Sequence, residues 1–273
     1  MATSSTTATV AAPLDVWQEI RNEAQQASAD EPVLASFYHA AILNHASFPA
    51  AISFHLANKL DSQTLPAMML REVFEQAMRA DATIELAMRA DIRAHRERDP
   101  ACNKYCMPFL FFKGYHALQS WRIAHWLWQQ GRNPLALYFQ NQISQAFDVD
   151  IHPGAKIGSG IMIDHATGVV IGETTVIEDD VSMLHGVTLG GSGCMKTDRH
   201  PKIRRGVLIG VGAKILGNIE IGEGAKIGAG SVVLDAVEPH TTVAGVPAKP
   251  VGRPKGDIPA LDMDHHLNED GNN

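Results

Sequence analysis

The sequence has few cysteines and few aromatic residues. Of its 273 residues, 6% are aromatic and three are cysteine, namely Cys102, Cys106 and Cys194. This odd, small number does not favour a disulfide framework. Cys102 and Cys106 also lack the second pair of ligands that a structural zinc site needs. The cysteine content therefore predicts a reducing, cytoplasmic location.

The chain also lacks a basic excess and long apolar runs. Lys and Arg total 23 against 30 Asp and Glu, a net charge of −7, whereas a nucleic-acid-binding protein needs a basic surface. No apolar run approaches the ~18 residues of a membrane-spanning helix. Residues 1–10 contain no Lys or Arg ahead of an apolar core, as a signal peptide would. We predict a protein that binds neither nucleic acid nor membranes.

The first half of the chain has helical periodicity. Apolar residues recur at intervals of three and four in seven segments, residues 14–28, 32–45, 48–60, 66–80, 83–97, 107–130 and 134–146. Asp30, Ser47 and Pro134 stand where helices begin, and Gly131 predicts the end of the longest segment. The pattern predicts an all-helical domain over residues 1–146.

From Asp150 onward, small apolar residues recur every six positions. These residues are Ile151, Ile157, Ile163, Ile171, Ile177, Met183, Leu189, Ile209, Ile215, Ile221, Ile227 and Val233. A six-residue period is the signature of a parallel β-helix, in which roughly 18 residues close one triangular coil. The predicted fold class is α+β, with a parallel β-helix over residues 147–252 and a flexible tail over residues 253–273.

The repeat is interrupted twice. The interval from Ile163 to Ile171 is eight residues rather than six, and it contains His165. The interval from Leu189 to Ile209 is twenty residues, which we interpret as one coil plus two residues. Because irregularities concentrate at functional sites, both interruptions are candidate site segments, with ordinary solvated loops as the alternative.

Several motifs carry a resemblance to a known family. They are Arg98-Asp99-Pro100-Ala101, Asp150-Ile151-His152-Pro153, Asp164-His165-Ala166-Thr167-Gly168 and Asp198-Arg199-His200-Pro201-Lys202-Ile203. With the helical half before them, they make the chain resemble the bacterial serine acetyltransferases from about residue 15 to residue 253. The resemblance implies a left-handed β-helix and transfer of an acetyl group from acetyl-CoA to L-serine, with no metal. The product, O-acetyl-L-serine, is made in the first step of L-cysteine biosynthesis.

The same resemblance assigns roles to individual residues. A serine hydroxyl needs a base, and a neutral imidazole is available near pH 7. The resemblance gives this role to His165 and the carboxylate that orients it to Asp150. Serine is a zwitterion that needs a guanidinium for its carboxylate and carboxylates for its ammonium. The implied substrate-binding residues are Asp99, Asp164, Arg199 and His200.

The family positions that line a groove for acetyl-CoA are also present. They correspond to Gly191, Ser192, Val211, Ala229, Lys226 and Lys249, of which the two lysines are candidates to meet the phosphates. The sequence has no G-x-S-x-G and no glycine-rich phosphate-binding motif. We therefore expect direct attack by the acceptor in a ternary complex, with Cys194 unreactive.

Three alternatives remain open. The first is a hexapeptide acetyltransferase with another acceptor, such as homoserine or a sugar. The second is a zinc-dependent hydratase, for which the candidate ligands are His152, His165, His185 and His200. The third is a partner or regulator of the next enzyme in cysteine synthesis.

The resemblance also implies partners. Inhibition by L-cysteine in the serine pocket is expected, as is a homotrimer that pairs through its helical domains into a dimer of trimers. Members of the family bind the sulfhydrylase that follows them through a tail ending in isoleucine. This sequence ends in Asn272-Asn273, so we expect no tight cysteine synthase complex.

Overall fold

The first half of the computed structural model is helical, and the structure describes residues 15–193 and 197–267. The helices are α1 (Val16–Asp30), α2 (Ala35–Tyr38), α3 (Phe48–Lys59), α4 (Ala67–Ala80), α5 (Ala82–Arg98), α6 (Cys106–Phe111), α7 (Lys113–Gln129) and α8 (Asn133–Phe147), with a 3₁₀ turn at Pro32–Leu34 and a π turn at His39–Leu43. Within the described ranges, no helix is long and apolar enough to cross a membrane.

Several helix boundaries follow local signals in the sequence. Ser47 accepts a hydrogen bond from the Ala50 amide and caps α3. Gly131, with φ +71°, follows the last turn of α7 and ends it, as predicted. The predicted helix over residues 107–130 is instead divided at Phe112, which is extended at φ −88° and ψ 108°.

Packing against the β-helix accounts for the glycine just after this break. A Cβ placed on Gly114 would lie 2.1 Å from the Ile163 carbonyl oxygen. Helix α7 therefore rests directly on the backbone of the first coil, and only a residue without a side chain fits at this position. Periodicity within the helix carries no information about this contact.

The second half consists of short strands in three sheets. The strands are β1 (Val149–Ile151), β2 (Lys156–Ile157), β3 (Met162–Ile163), β4 (Val169–Ile171), β5 (Val176–Ile177), β6 (Ser182–Met183), β7 (Thr188–Gly190), β8 (Lys202–Ile203), β9 (Leu208–Ile209), β10 (Lys214–Leu216), β11 (Glu220–Ile221), β12 (Lys226–Ile227), β13 (Val232–Val233), β14 (Thr242–Gly245) and β15 (Ala248–Gly252). A short helix, α9 (Pro259–Asp262), follows them.

The sheets form the three faces of a triangular coil. The first sheet has the order β1-β4-β7-β10-β13, the second β11-β8-β5-β2, and the third β15-β14-β12-β9-β6-β3. Pairing is parallel except between β14 and β15. The residues of the six-residue repeat point inward and are buried, apart from the half-buried Ile157. The predicted α+β fold with a parallel β-helix is confirmed.

The coil has three corners, which place the candidate residues. Corner 1 joins the first sheet to the second and includes residues 152–155, 172–175, 191–193, 197–201 and 217–219. Corner 2 joins the second sheet to the third. Corner 3 joins the third sheet to the first and includes residues 164–168, 184–187, 210–213 and 228–231.

The interpretation of the longer interruption as one coil plus two residues is wrong. Leu189 pairs with Ile215 in the first sheet, whereas Ile209 pairs with Met183 in the third. The interval therefore holds two regular repeats and eight extra residues, all at corner 1, and Ile203 is a core position that the pattern missed. The period identifies inward-facing residues, but it does not say which of three equivalent faces each occupies.

The helices close the open edge of the first coil. Strand residues of each coil donate N–H groups to the next coil, as Gly158 does to the Ile177 carbonyl at 2.9 Å. Some carbonyls of the first coil accept from helical side chains instead. Trp121 Nε1 donates to the His152 carbonyl at 3.0 Å, and Arg122 Nη2 donates to the Gly158 carbonyl at 2.8 Å.

A buried ion pair lies at the centre of this junction. The Asp91 carboxylate accepts from Arg122 Nη2 at 2.6 Å, from Gln119 at 3.0 Å and from the Ile161 amide at 2.9 Å. The Asp91 side chain is fully buried, and Arg122 is 7% exposed. Burial raises the pKa of Asp91, and Arg122 and the other donors act against this.

Part of the region predicted to be a flexible tail lies along the third sheet. The Ala260 carbonyl accepts from Ser182 Oγ at 2.8 Å, and the Ala260 amide donates to the Gly206 carbonyl at 3.2 Å. Lys226 Nζ donates to the His266 carbonyl at 2.5 Å. The chain is thus attached to the β-helix as far as residue 267, the last that the structure describes.

Three buried histidines lie within the helical domain. The His55 and His116 rings are 5.1 Å apart, and His116 Nε2 donates to the Phe109 carbonyl at 2.8 Å. Burial lowers the pKa of His55 to about 4 and that of His95 to about 3. The folded domain therefore holds these rings neutral at pH values where the unfolded chain binds protons.

We predict that Arg122→Leu destabilises the protein by about 3–5 kcal/mol, because Asp91 then stays buried without its partner. Arg79→Leu is the matched control, since Arg79 pairs with Glu75 but is 70% exposed. The control should cost less than about 1 kcal/mol. Urea unfolding followed by circular dichroism measures both, and equal losses would contradict the role of the buried pair.

We also predict acid lability from His55. A histidine with a depressed pKa in the folded state contributes stability above its unfolded pKa of about 6.5, and this is lost as the pH falls toward about 4. The loss over that interval is about 3 kcal/mol. Between pH 7.5 and pH 5, the midpoint of urea unfolding should fall less in His55→Phe than in the wild-type protein. Identical falls in both proteins would show that His55 does not contribute.

Candidate active site

Corner 3 forms a column of short turns along the β-helix. The Gly186 amide donates to the Thr167 carbonyl at 2.8 Å, and the Gly212 amide donates to the His185 carbonyl at 2.9 Å. One coil further, the Gly230 amide donates to the Val211 carbonyl at 2.7 Å. The column therefore runs in order through His165, His185, Val211 and Ala229.

The first interruption places His165 at the start of this column. His165 and Ala166 have φ values of 56° and 61°, in the left-handed region that non-glycine residues seldom adopt. The Ala166 amide donates to the Asp164 carbonyl at 2.6 Å, which tightens the turn. The two extra residues thus turn the His165 side chain outward, and it is 74% exposed.

Asp164 is the acidic neighbour of His165. Its Oδ2 lies 3.7 Å from His165 Nε2, so Asp164 supplies a negative charge beside the imidazole. The Asp164 amide donates to the Met183 carbonyl at 2.9 Å and keeps the residue in register with the third sheet. These two residues were predicted together, and the structure brings them together.

Corner 1 holds a second polar cluster, built on the long interruption. Arg199 Nη2 contacts Glu173 Oε2 at 2.7 Å, and this hydrogen bond is the main cause of a lowered Glu173 pKa. His200 Nδ1 lies 2.9 Å from Thr174 Oγ1. Burial, followed by the charge of Arg199, lowers the pKa of His200. Arg199 and His200 are therefore adjacent and held by the preceding coil.

Sequence reasoning did not select Glu173 or Thr174. Both follow Gly172 after β4, one coil below Arg199, and the eight extra residues at corner 1 break the six-residue register that would have related them to Arg199. Gly172 before them has no room for a side chain, because a Cβ there would lie 2.0 Å from His200 Nε2. The Gly-Glu-Thr turn is thus shaped to hold the His200 ring.

Asp150 is held in the first sheet and contacts a helical side chain. It sits in β1 between the buried Val149 and Ile151, opposite Val170 of β4, and its Oδ1 accepts from Gln140 at 2.7 Å. Within residues 15–193 and 197–267, no hydrogen bond or ion pair joins Asp150 to His165. Its role in orienting the imidazole stays a prediction.

Asp99 lies at the junction of the two halves. It caps the end of α5, and its Oδ1 accepts from the Ala101 amide at 2.8 Å. The preceding Arg98 donates to the Gly160 carbonyl at 2.9 Å and to Ser182 Oγ at 3.1 Å, which fixes α5 on the first coils. In the described part of the chain, Asp99 makes no direct contact with Asp164.

The residues expected to line the acetyl-CoA groove are divided between the corners. Gly191 and Ser192 are at corner 1, where Gly191 packs against the Arg199 side chain. Val211 and Ala229 are at corner 3, and the Ala229 backbone lies so close to Gly210 that a Cβ on Gly210 would be 2.7 Å from the Ala229 amide. Glycines thus allow close packing at both corners.

The two lysines have other contacts in this structure. Burial lowers the pKa of Lys226, whose ammonium donates to the tail at His266. Lys249 Nζ is 3.8 Å from Asp235 Oδ2, and both side chains are largely exposed. Their contact with phosphates stays a prediction.

Two of the three cysteines lie within the described residues. Cys102 and Cys106 are buried, and burial raises the pKa of their thiols to about 11 and about 12. Cys194 lies outside the described residues. Among the residues that are described, no three His, Cys, Asp or Glu side chains are grouped to hold a metal ion.

The candidate site therefore consists of two half-sites at opposite ends of the first sheet. The corner 3 half-site carries a base beside an acid, at the start of an open column. The corner 1 half-site carries a guanidinium, with His200, Gly191 and Ser192. The first can remove a proton from a hydroxyl, and the second can hold a carboxylate.

Comparisons with known proteins identify the family of the chain. Residues 16–120 match the family described as serine acetyltransferase, N-terminal, and residues 200–235 match the bacterial transferase hexapeptide repeats. A serine acetyltransferase of Salmonella typhimurium is 60% identical over 93% of this chain and 93% of its own length.

Two solved structures are similar over most of the chain. A serine acetyltransferase in complex with cysteine is 57% identical, covers 92% of this chain and 98% of its own, and has a TM-score of 0.90. A serine acetyltransferase from Brucella abortus in complex with coenzyme A is 50% identical, covers 88% of this chain and 96% of its own, and has a TM-score of 0.86. The chain belongs to the serine acetyltransferase family.

Proposed function

We propose that this serine O-acetyltransferase transfers the acetyl group of acetyl-CoA directly to the hydroxyl of L-serine, within a ternary complex. The products are O-acetyl-L-serine and CoA, and the reaction is the first step of L-cysteine biosynthesis. The observation that carries the proposal is the exposed His165 beside Asp164, at the head of the corner 3 column. Family membership does not favour the homoserine, sugar or zinc hydratase alternatives.

His165 acts as the general base. Its neutral imidazole takes the serine hydroxyl proton as the oxygen attacks the thioester carbon, and it then returns the proton to the departing sulfur of CoA. A positioned base contributes about 10²–10⁴-fold. Asp164 beside the ring stabilises the imidazolium that forms between the two steps, and Asp150 is the proposed orienting carboxylate.

The zwitterionic acceptor needs both half-sites. Arg199, with His200 beside it, binds the serine carboxylate, while Asp99 and Asp164 bind the ammonium. One protomer carries Arg199 and His200 at corner 1, Asp164 at corner 3 and Asp99 at the end of α5. A threefold rotation places corner 1 of one protomer against corner 3 of the next, so a homotrimer completes three sites at once.

The acyl donor occupies the same junction between protomers. The pantetheine arm lies along Val211 and Ala229 of one protomer and Gly191 and Ser192 of its neighbour. Lys226 and Lys249 are the proposed phosphate contacts. Lys226 becomes available only when the tail around His266 leaves it.

Helical domains pair two trimers into a hexamer in this proposal. Large apolar side chains on the helical domain are exposed in the single chain, namely Val33, Met68, Met69 and Leu86. An interface between helical domains would bury exposed apolar side chains of this kind. The expectation of no tight cysteine synthase complex stays a prediction, since residues 268–273 lie outside the described residues.

L-Cysteine is the proposed feedback inhibitor. It differs from L-serine only by sulfur in place of oxygen, and it presents the same carboxylate and ammonium to Arg199, Asp99 and Asp164. A similar solved serine acetyltransferase is in complex with cysteine. Inhibition at the serine pocket is therefore competitive with serine.

Release of CoA from acetyl-CoA tests the function directly. We expect strong release with L-serine, and little with L-homoserine, a sugar amine or no acceptor. Added L-cysteine should suppress the reaction when the loss of thioester absorbance is followed. Turnover confined to another acceptor would overturn the assignment of the serine pocket while leaving the chemistry of His165 in place.

Mixed oligomers test the shared site. His165→Ala and Arg199→Ala should each lower turnover by at least about a hundredfold with the oligomer intact. After equimolar unfolding and refolding together, about a quarter of the wild-type activity should return, because one junction in four then pairs two intact half-sites. Sites confined to one protomer would regain no activity on mixing.

A further inference from the structure

Gln140 of α8 is a polar side chain that neither the family resemblance nor the mechanism above uses. Its Nε2 donates a hydrogen bond to Asp150 Oδ1 at 2.7 Å. An ionised carboxylate can only accept, so the amide nitrogen of Gln140, rather than its amide oxygen, has to face it. The helical domain therefore contributes a donor to the carboxylate that is proposed to orient the base.

The position of Gln140 is fixed by the packing of α8. The neighbouring Phe139 is 1% exposed, and its ring lies 5.8 Å from that of Phe74. Tyr138 Oη lies 2.7 Å from Ser62 Oγ, within hydrogen-bond distance. These contacts anchor the turn of α8 that carries Gln140. A side chain on such an element is held more precisely than one on a loop.

Asp150 is close in the fold to the turn that carries His165. The Gly168 amide, at the end of that turn, donates to the Asp148 carbonyl at 2.8 Å, and β1 then pairs with β4. Asp150 Oδ2 has no hydrogen-bond partner in the described part of the chain, and it is not a buried atom. One oxygen of this carboxylate is thus held by Gln140, and the other is open.

A carboxylate can orient an imidazole only if its own plane is fixed. The last torsion of an aspartate side chain joins an sp³ carbon to an sp² carbon, so its energy minimum is broad and the carboxylate plane swings easily. A hydrogen bond to one oxygen restricts this swing and directs the second oxygen. In a pair of base and carboxylate, the carboxylate selects the tautomer that leaves the other ring nitrogen free to accept a proton.

We infer that Gln140 is a positioning residue, which holds the Asp150 carboxylate so that Oδ2 faces the imidazole of His165. Gln140 does not touch the substrates, and it acts only through Asp150. The inference rests on the proposed function, in which His165 takes the proton of the serine hydroxyl and Asp150 orients the ring. Loss of Gln140 therefore slows the chemical step and leaves substrate binding unchanged.

Two substitutions remove the donor in different ways. Gln140→Leu keeps a side chain of similar size without any hydrogen-bonding group. Gln140→Glu keeps the shape but places a second acceptor against Asp150, and the two carboxylates repel each other. We expect kcat to fall about tenfold in the first variant and at least as much in the second, with the KM values for serine and acetyl-CoA changed less than about twofold.

Gln145→Leu is the matched control. Gln145 lies on the same helix, but it is exposed, and its amide nitrogen is 3.4 Å from Asn141 Oδ1. Its kcat should stay within about twofold of the wild-type value. Similar midpoints of urea unfolding in the two leucine variants, with a loss of kcat confined to Gln140→Leu, would exclude a general effect of apolar substitution in α8.

A double-mutant cycle tests whether Gln140 acts through Asp150. Asp150→Ala should lower kcat by about 10²-fold, because the imidazole loses its orienting partner. In the Asp150→Ala background, Gln140→Leu should change kcat less than about twofold, since the carboxylate that it positions is gone. The same fractional loss in both backgrounds would mean that Gln140 acts on the fold of α8, and it would overturn the inference.

Failure of this inference can be told apart from failure of the proposed function. Absence of CoA release by the wild-type protein with L-serine would overturn the proposed function. Normal turnover by Asp150→Ala would remove both Asp150 and Gln140 from the mechanism, while acetyl transfer with His165 as base would stand. A loss of kcat in Asp150→Ala, with full activity in both Gln140 variants, would overturn only the positioning role. A raised KM with an unchanged kcat would likewise reject it, because Gln140 would then affect binding.

Discussion

Strand N–H groups of each coil are donated to the next coil, so the carbonyl edge of the first coil has to find its donors elsewhere. Side chains of α5 and α7 provide them. Arg98, Trp121 and Arg122 donate to the carbonyls of Gly160, His152 and Gly158. The helical domain is therefore the cover that ends the β-helix at one side and satisfies backbone groups that would otherwise be unpaired.

The helical domain also contacts the turn that carries His165. Helix α7 begins against the irregular turn, where Lys113 Nζ contacts Thr167 Oγ1 at 2.5 Å and Gly114 packs on the Ile163 carbonyl. Helix α5 ends at Arg98 and Asp99 on the same first coils. The strained turn that carries His165 is thus held by α7, which lets it keep left-handed backbone angles that an isolated loop would relax.

In the β-helix, the regular segments form the frame and the irregular segments carry the candidate site residues. Regular coils repeat one corner geometry, and the repetition turns corner 3 into a column of stacked turns. The two interruptions add side chains with chemistry to that regular frame, His165 at corner 3 and Arg199 with His200 at corner 1. Their separation within one chain follows from the triangular cross-section, and the proposed function therefore requires association of protomers.

The sequence by itself determined the helical half, most inward-facing residues of the β-helix and the segments that carry the candidate site. These features depend on local spacing, which a chain displays without its partners. Only the tertiary structure decided which face each repeat occupies, since three faces share one period and the eight residues before Ile203 reset the count. It alone also revealed the contact at Gly114, the pairing of Glu173 with Arg199 and the meeting of His185 with His165. These contacts join residues one coil or one domain apart, and their distances are set by stacking rather than by separation along the chain.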